Sequence, residues 1–150
     1  MRNWCLIVAL LLSSSALAQQ APTVFRGSWT ATAGPSQVLR GTWAGQASAQ
    51  NRNSAQGSWT LLGEAGQIVL EGTWSAQKTS HGWQGSWTAR VQRGRSFSGT
   101  WTAIITDPGS KTFEDLLKQT LEKEIGGSWR SGSYKGNWWL KGSSPQGNNR

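Results

Sequence analysis

The chain of 150 residues contains one cysteine, one histidine and one methionine, and only 15% of its residues are charged. Each scarcity excludes something. The lone cysteine, Cys5, lies in a short apolar run near the N-terminus, so no intrachain disulfide and no thiolate zinc cluster can be built. His81 stands in a polar stretch with no serine and acid partner arranged around it, which leaves neither a hydrolytic triad nor a histidine-based metal centre. Glu64, Glu71 and Asp107 are scattered, while Glu114, Asp115, Glu122 and Glu124 fall in one segment, so no acid–base pair recurs. The glycines do not form a loop ahead of a helix, which removes the phosphate cradle. The expectation is a non-enzymatic chain with no catalytic residue, metal or cofactor.

Long hydrophobic runs are also missing after residue 18. The start is different: Met1-Arg2-Asn3-Trp4 precedes an apolar stretch from Cys5 to Leu12, then Ser13 to Ser15 and the small-x-small sequence Ala16-Leu17-Ala18. A positive start, a short apolar core and a small-residue cleavage site read as a signal peptide over 1–18, with a mature chain from Gln19 that is periplasmic or extracellular. Cys5 lies too early in that run for lipid attachment.

What the chain does have is 11 tryptophans and 19 glycines. Six tetrapeptides repeat: Gly27-Ser28-Trp29-Thr30, Gly41-Thr42-Trp43-Ala44, Gly57-Ser58-Trp59-Thr60, Gly72-Thr73-Trp74-Ser75, Gly85-Ser86-Trp87-Thr88 and Gly99-Thr100-Trp101-Thr102. The tryptophans are spaced by 14, 16, 15, 13 and 14 residues. A solenoid needs a stricter period; strands joined by turns of variable length do not. Each repeat therefore predicts one strand of about ten residues. Side chains alternate across a strand, so Phe25, Gly27, Trp29 and Ala31, and their counterparts in the other repeats, share one apolar face. Arg26, Ser28, Thr30, Arg40, Thr42, Glu71, Arg90 and their like share the other. In an antiparallel meander a tryptophan can lie beside the glycine of the next strand, and alternating the largest and smallest side chains predicts a filled interior.

After Thr106 the period changes. Phe113, Leu116, Leu117, Leu121 and Ile125 recur at helical spacing and predict an amphipathic helix over 112–125, with Thr112 as N-cap, a Glu114–Lys118 pair and Gly126-Gly127 as the stop. The motif resumes at Trp129 and Trp138, which brings the count to eight strands. The fold predicted over 19–141 is all-β: an eight-stranded antiparallel up-and-down barrel, with the eighth strand paired to the first and a flexible tail over 142–150. The helix belongs at the rim where the sixth strand ends, either plugging it or packed outside over Ile104.

Strand phrases such as Leu39-Arg40-Gly41-Thr42-Trp43 and Phe97-Ser98-Gly99-Thr100-Trp101 resemble those of calycin-type barrels, the avidins and lipocalins. That resemblance implies a secreted eight-stranded barrel that holds a small ligand at its open end. The inward positions offer almost no hydroxyl, amide or carboxyl group, so biotin binding is not supported.

Four functional readings stay open, the fourth being an envelope polyanion or glycan binder. Trp29, Trp43, Trp59, Trp74, Trp87 and Trp101, interleaved with Gly27, Gly41, Gly57, Gly72, Gly85 and Gly99, form a packed core of a structural module of the cell envelope. Alternatively, a shallow mouth near Leu39, Leu61, Ile68, Val91 and Phe97 takes a small apolar ligand. In the third reading the barrel lies in an outer membrane, with its Gly/Trp face toward lipid. The formal charge of +8 is densest at Arg90, Arg93 and Arg95 and would attract an envelope polyanion. Trp139, opposite in parity to Trp138, is expected to be exposed and would serve glycan stacking. Nucleic acid and stable membrane insertion are not expected partners; a homo-oligomer is compatible with the sequence.

Overall fold

The computed structural model describes residues 23–91, 94–105 and 111–143. The segment expected to be the signal peptide, most of the expected tail, and Asp107 lie outside them. Eight strands run in order: β1 (Phe25–Ala33), β2 (Gln37–Ala47), β3 (Ser54–Leu62), β4 (Ile68–Thr79), β5 (Gly82–Arg90), β6 (Ser96–Ala103), β7 (Ile125–Ser131) and β8 (Tyr134–Ser143). All neighbours are antiparallel, and β8 returns to β1 to close the barrel. Closure leaves no strand edge unpaired. β8 extends through Ser143, so Gly142 and Ser143 belong to the barrel and not to a tail.

The alternation of glycine and tryptophan sets the register in four hairpins. Trp29 faces Gly41 and Gly27 faces Trp43; the same exchange joins Trp59 with Gly72 and Gly57 with Trp74. It recurs for Trp87 and Gly99, with Gly85 and Trp101, and for Trp129 and Gly136, with Gly127 and Trp138. Between hairpins the pairing differs: Trp43 faces Trp59, Trp74 faces Trp87 and Trp101 faces Trp129. On the outer surface these same junctions carry hydroxyl pairs. Thr42 and Thr60 join at 2.5 Å, Thr73 and Thr88 at 2.8 Å, and Thr102 and Ser128 at 2.8 Å.

Most outward side chains are hydroxyls, amides and charges, although Val38, Leu62, Val69 and Trp139 also face outward, and the Gly/Trp face lines the interior. The orientation that the outer-membrane reading gave that face, toward lipid, is therefore corrected.

The helix α1 (Phe113–Gln119) plugs the end where even-numbered strands finish. Phe113, Leu116 and Leu117 are buried against a floor of Phe25, Ala55, Ala76, Trp83, Ala103 and Ile125. The alternative position outside the wall is not adopted: Ile104 is 83% exposed. Thr112 caps the helix reciprocally, since its hydroxyl accepts from the Asp115 backbone N–H and its own N–H donates to the Asp115 carboxylate. These bonds hold the Asp115 carboxyl below its ordinary pKa, with the backbone bond the largest cause. Lys118 and Glu114 pair at 3.1 Å.

The plug is shorter than the expected 112–125. It ends at Thr120, whose carbonyl accepts from the N–H of Gly142 at 2.7 Å. Ile125 is instead the first residue of β7, and Gly126-Gly127 are strand glycines. A tie to β8 takes over the terminating role that the glycine pair would have had.

Candidate functional site: an indole-panelled cavity

The interior is not filled. A cavity of about 330 Å³ runs from Leu39, Leu61, Leu70 and Phe97 at the mouth down to Phe113, Leu116 and Leu117 of the plug. Eight tryptophans line it: Trp29, Trp43, Trp59, Trp74, Trp87, Trp101, Trp129 and Trp138. Of the six expected to be buried as a core, only Trp43 is, at 4% exposure; Trp29, Trp59, Trp74, Trp87 and Trp101 are half-buried. The expectation of a packed lumen with only a shallow mouth is thereby corrected.

The reason is the direction in which the indoles lie. Each one is laid flat along the wall, across the glycine of the adjacent strand. Trp29 of β1 covers Gly41 of β2 and donates its N–H to the carbonyl of Thr60 on β3 at 3.0 Å. Trp59 likewise covers Gly72 of β4 and reaches the carbonyl of Thr88 on β5 at 3.1 Å, and Trp129 covers Gly136 and reaches Thr32 across the barrel's closure at 2.9 Å. With Trp87, which covers Gly99, these odd-strand residues form the tier nearer the mouth.

Even-strand tryptophans lie the other way round the barrel. Trp43 of β2 crosses Gly27 of β1 to the carbonyl of Lys141 on β8 at 3.1 Å. Trp74 crosses Gly57 to the carbonyl of Ala44 at 3.2 Å, and Trp101 crosses Gly85 to that of Ser75 at 3.0 Å. Trp138 covers Gly127 and bonds the carbonyl of Ser128 at 3.0 Å. This tier stands on the plug, where Trp74 meets Phe113 at 5.7 Å. Where two tryptophans face one another between hairpins, their rings therefore point apart.

One indole spans about two strands, so four per tier panel the whole eight-stranded wall. Successive panels meet edge to face: Trp29, Trp59, Trp87 and Trp129 follow one another at 6.0, 6.1 and 6.2 Å with planes 82°, 83° and 74° apart. Near-right angles between wall panels make the lumen roughly square in section. Below, Trp74, Trp101 and Trp138 repeat the pattern at 6.5 and 5.7 Å.

Glycine is required under each panel for two reasons. A Cβ at Gly41 would strike the carbonyl of Thr60 as well as the Trp29 ring, and one at Gly72 would strike the carbonyl of Thr88 and the Trp59 ring. Because those carbonyls also take up indole N–H groups, the polar edge of the ring is turned into the wall and its apolar face into the lumen.

Size and chemistry then define what the cavity can do. The cavity opens at the mouth, so it is a pocket reachable from outside and not a void sealed in the core. The volume falls at the lower end of small-molecule pockets, and its walls can offer dispersion and aromatic contact but no charge.

The remaining expected site residues are not drawn together. Ile68 is 59% exposed and stands off the wall, because an irregularity between Leu61 and Leu62 shifts its register and leaves Leu70 to line the cavity in its place. Val91 is turned into the β5–β6 loop, where its N–H donates to Arg95. Leu70, on the inward face but not counted at the rim, lines the cavity, as do Trp129, Trp138 and Leu140; the position of Leu70 two before Gly72, matching Leu39 before Gly41 and Phe97 before Gly99, was the available signal. Trp139 is half-buried beside Gly126 rather than exposed. His81 lies in an exposed turn, its ring nitrogen 2.9 Å from the Ser80 hydroxyl. Among the described residues no group of three or more His, Cys, Asp or Glu side chains is placed to hold a metal. Compared with protein-family models, curated proteins and solved structures, the chain has no match.

Proposed function

We propose that the chain is a binding barrel for a small, apolar, uncharged molecule, which it holds without chemical conversion between the two indole tiers. The observation that carries this reading is the cavity of about 330 Å³ panelled by eight tryptophans. An apolar ligand gains from leaving water and from contact with aromatic faces, whereas a polar one would lose hydration with no group to replace it. Binding without catalysis follows from the same wall, which presents no titratable side chain to a ligand. The avidin and lipocalin resemblance supports a carrier role, though not a biotin-like ligand. The leader-like start supports action outside the cytoplasm, as a module of the cell envelope.

The test is titration of the full barrel with N-phenyl-1-naphthylamine and a series of uncharged aromatic and aliphatic compounds, read by probe fluorescence and by thermal shift. A compound at 100 times its Kd should add about 2.7 kcal/mol to stability. Leu61→Trp, placing an indole at the mouth above the two tiers, should weaken binding by tenfold or more while the melting temperature holds. Stabilisation by none of the compounds, or tight binding of a strongly polar molecule inside the barrel, would overturn the reading.

A further inference from the structure

Among the described residues seven large apolar side chains are exposed, and five of them, Val38, Ile68, Val69, Phe97 and Tyr134, lie at the mouth. They occupy the first two residues of β2, β4, β6 and β8, so each of the four hairpins contributes to the ring. At the plug end only Val24 and Ile104 are comparable. Scattered exposed apolar residues need no explanation, but five of them gathered round one end of a barrel do. Exposures of 72% for Val38 and 74% for Tyr134 mean that no other part of the described chain covers them.

Charge at the same end narrows the partner. Among the described residues, Arg40, Arg90, Arg95, Arg130 and Lys135 are exposed close to the mouth, against Glu64 and Glu71. The plug end carries Arg26, Arg52, Lys78, Lys111, Lys118, Lys123 and Lys141 beside the four acids Glu114, Asp115, Glu122 and Glu124, so both ends are net basic, and what sets the mouth apart is that its cations surround five exposed apolar side chains. An apolar ring with a basic surround describes a flat perimeter, not a groove for a peptide. A second copy docked mouth to mouth would bring two basic rims together, which like-charge repulsion opposes. We propose that the mouth docks on an anionic lipid surface, with the ring dipping into the headgroup boundary and the arginines and lysine against the headgroups. Docking in this pose turns the mouth of the cavity to the bilayer, so an apolar molecule would pass between membrane and barrel without crossing water. The docking does not require the proposed ligand reading; the transfer of a molecule rests on it.

The experiment is co-sedimentation of the full chain with vesicles of phosphatidylcholine alone and of phosphatidylcholine with about one third phosphatidylglycerol, at low and high salt. The expected result is binding to the anionic vesicles at least tenfold tighter than to the neutral ones, and weakened by salt. Val38→Ser/Ile68→Ser/Val69→Ser touches no residue of the cavity wall. It should lower partition about tenfold while leaving N-phenyl-1-naphthylamine binding in solution unchanged, and Arg95→Glu/Lys135→Glu should do the same by charge. Equal binding to both vesicle types, no binding to the anionic ones, or a salt-resistant dimer that the serine variant abolishes would each overturn the docking. Failure of the probe to bind, with vesicle binding intact, would instead count against the ligand reading alone.

Discussion

The two ends of the barrel are built from one repeat and behave as opposites. At the plug end, the residues two positions before the odd-strand glycines are Phe25, Ala55, Trp83 and Ile125, and a helix covers them. At the mouth, the residues two before the even-strand glycines are Leu39, Leu70, Phe97 and Tyr134, and nothing described covers them. Leu117 on the plug is 1% exposed while Phe97 at the mouth is 49% exposed. The same apolar chemistry therefore contributes stability at one end and accessibility at the other. What separates them is one inserted segment, not a change in the strands.

The tryptophan belt between the ends is the control for that comparison and should give the largest effect. Gly72→Leu drives a side chain into the carbonyl of Thr88 and the Trp59 ring, and an unfolding free energy lower by about 3 kcal/mol or more is expected in urea denaturation. An unchanged midpoint would mean that the panels do not rest on the glycines. At the plug, Leu117→Ala should cost about 2–5 kcal/mol, as for other fully buried leucines. A loss below 1 kcal/mol would show the helix to be a loosely attached cover.

Thr112→Ala removes the hydroxyl's bonds to the Asp115 N–H and carboxylate, leaves the backbone N–H bond to that carboxylate, and should cost about 1 kcal/mol, visible in the same denaturation series. Phe97→Ala, at the mouth, should change stability by less than about 1 kcal/mol yet weaken binding of N-phenyl-1-naphthylamine severalfold. The reverse outcome would erase the distinction between the ends.

The smallest effect is one of pH. Asp115 has a lowered pKa in the folded chain, so its contribution is present above the ordinary carboxylate range and is lost as pH falls through the folded value. Between neutral and acid pH, the melting temperature of Asp115→Asn should fall slightly less than that of the parent chain, and identical slopes would remove the carboxylate from the cap.

Much of this barrel was legible before any coordinates. Strict parity of Gly27 and Trp29 with their repeats placed one face inward, and the even count of strands closed the sheet. Parity says nothing about rotation around the Cα–Cβ bond, however, and that rotation decides whether Trp29 stands in the lumen or lies along the wall. The cavity was illegible for that reason. The helix boundary was misjudged because Ile125 satisfies two patterns at once, a helical stripe through Leu121 and the strand position two before Gly127; pairing with Leu140 on β8 selects the second. Ile68 was misplaced by one local irregularity, which no periodic rule registers.

The indoles that cross the seam set a constraint on the order of assembly. Trp43 bonds a carbonyl 98 residues away and Trp129 one 97 residues away, whereas each hairpin pairs residues close in sequence. Local pairings of that kind can form within microseconds, but closing loops of nearly a hundred residues is entropically expensive and gives the chain a high contact order. Until the first and last hairpins meet, both tiers have open sides, and their apolar faces are available to other chains. The seam is therefore expected to be the slow step, and the interval before it forms is when aggregation would compete with folding.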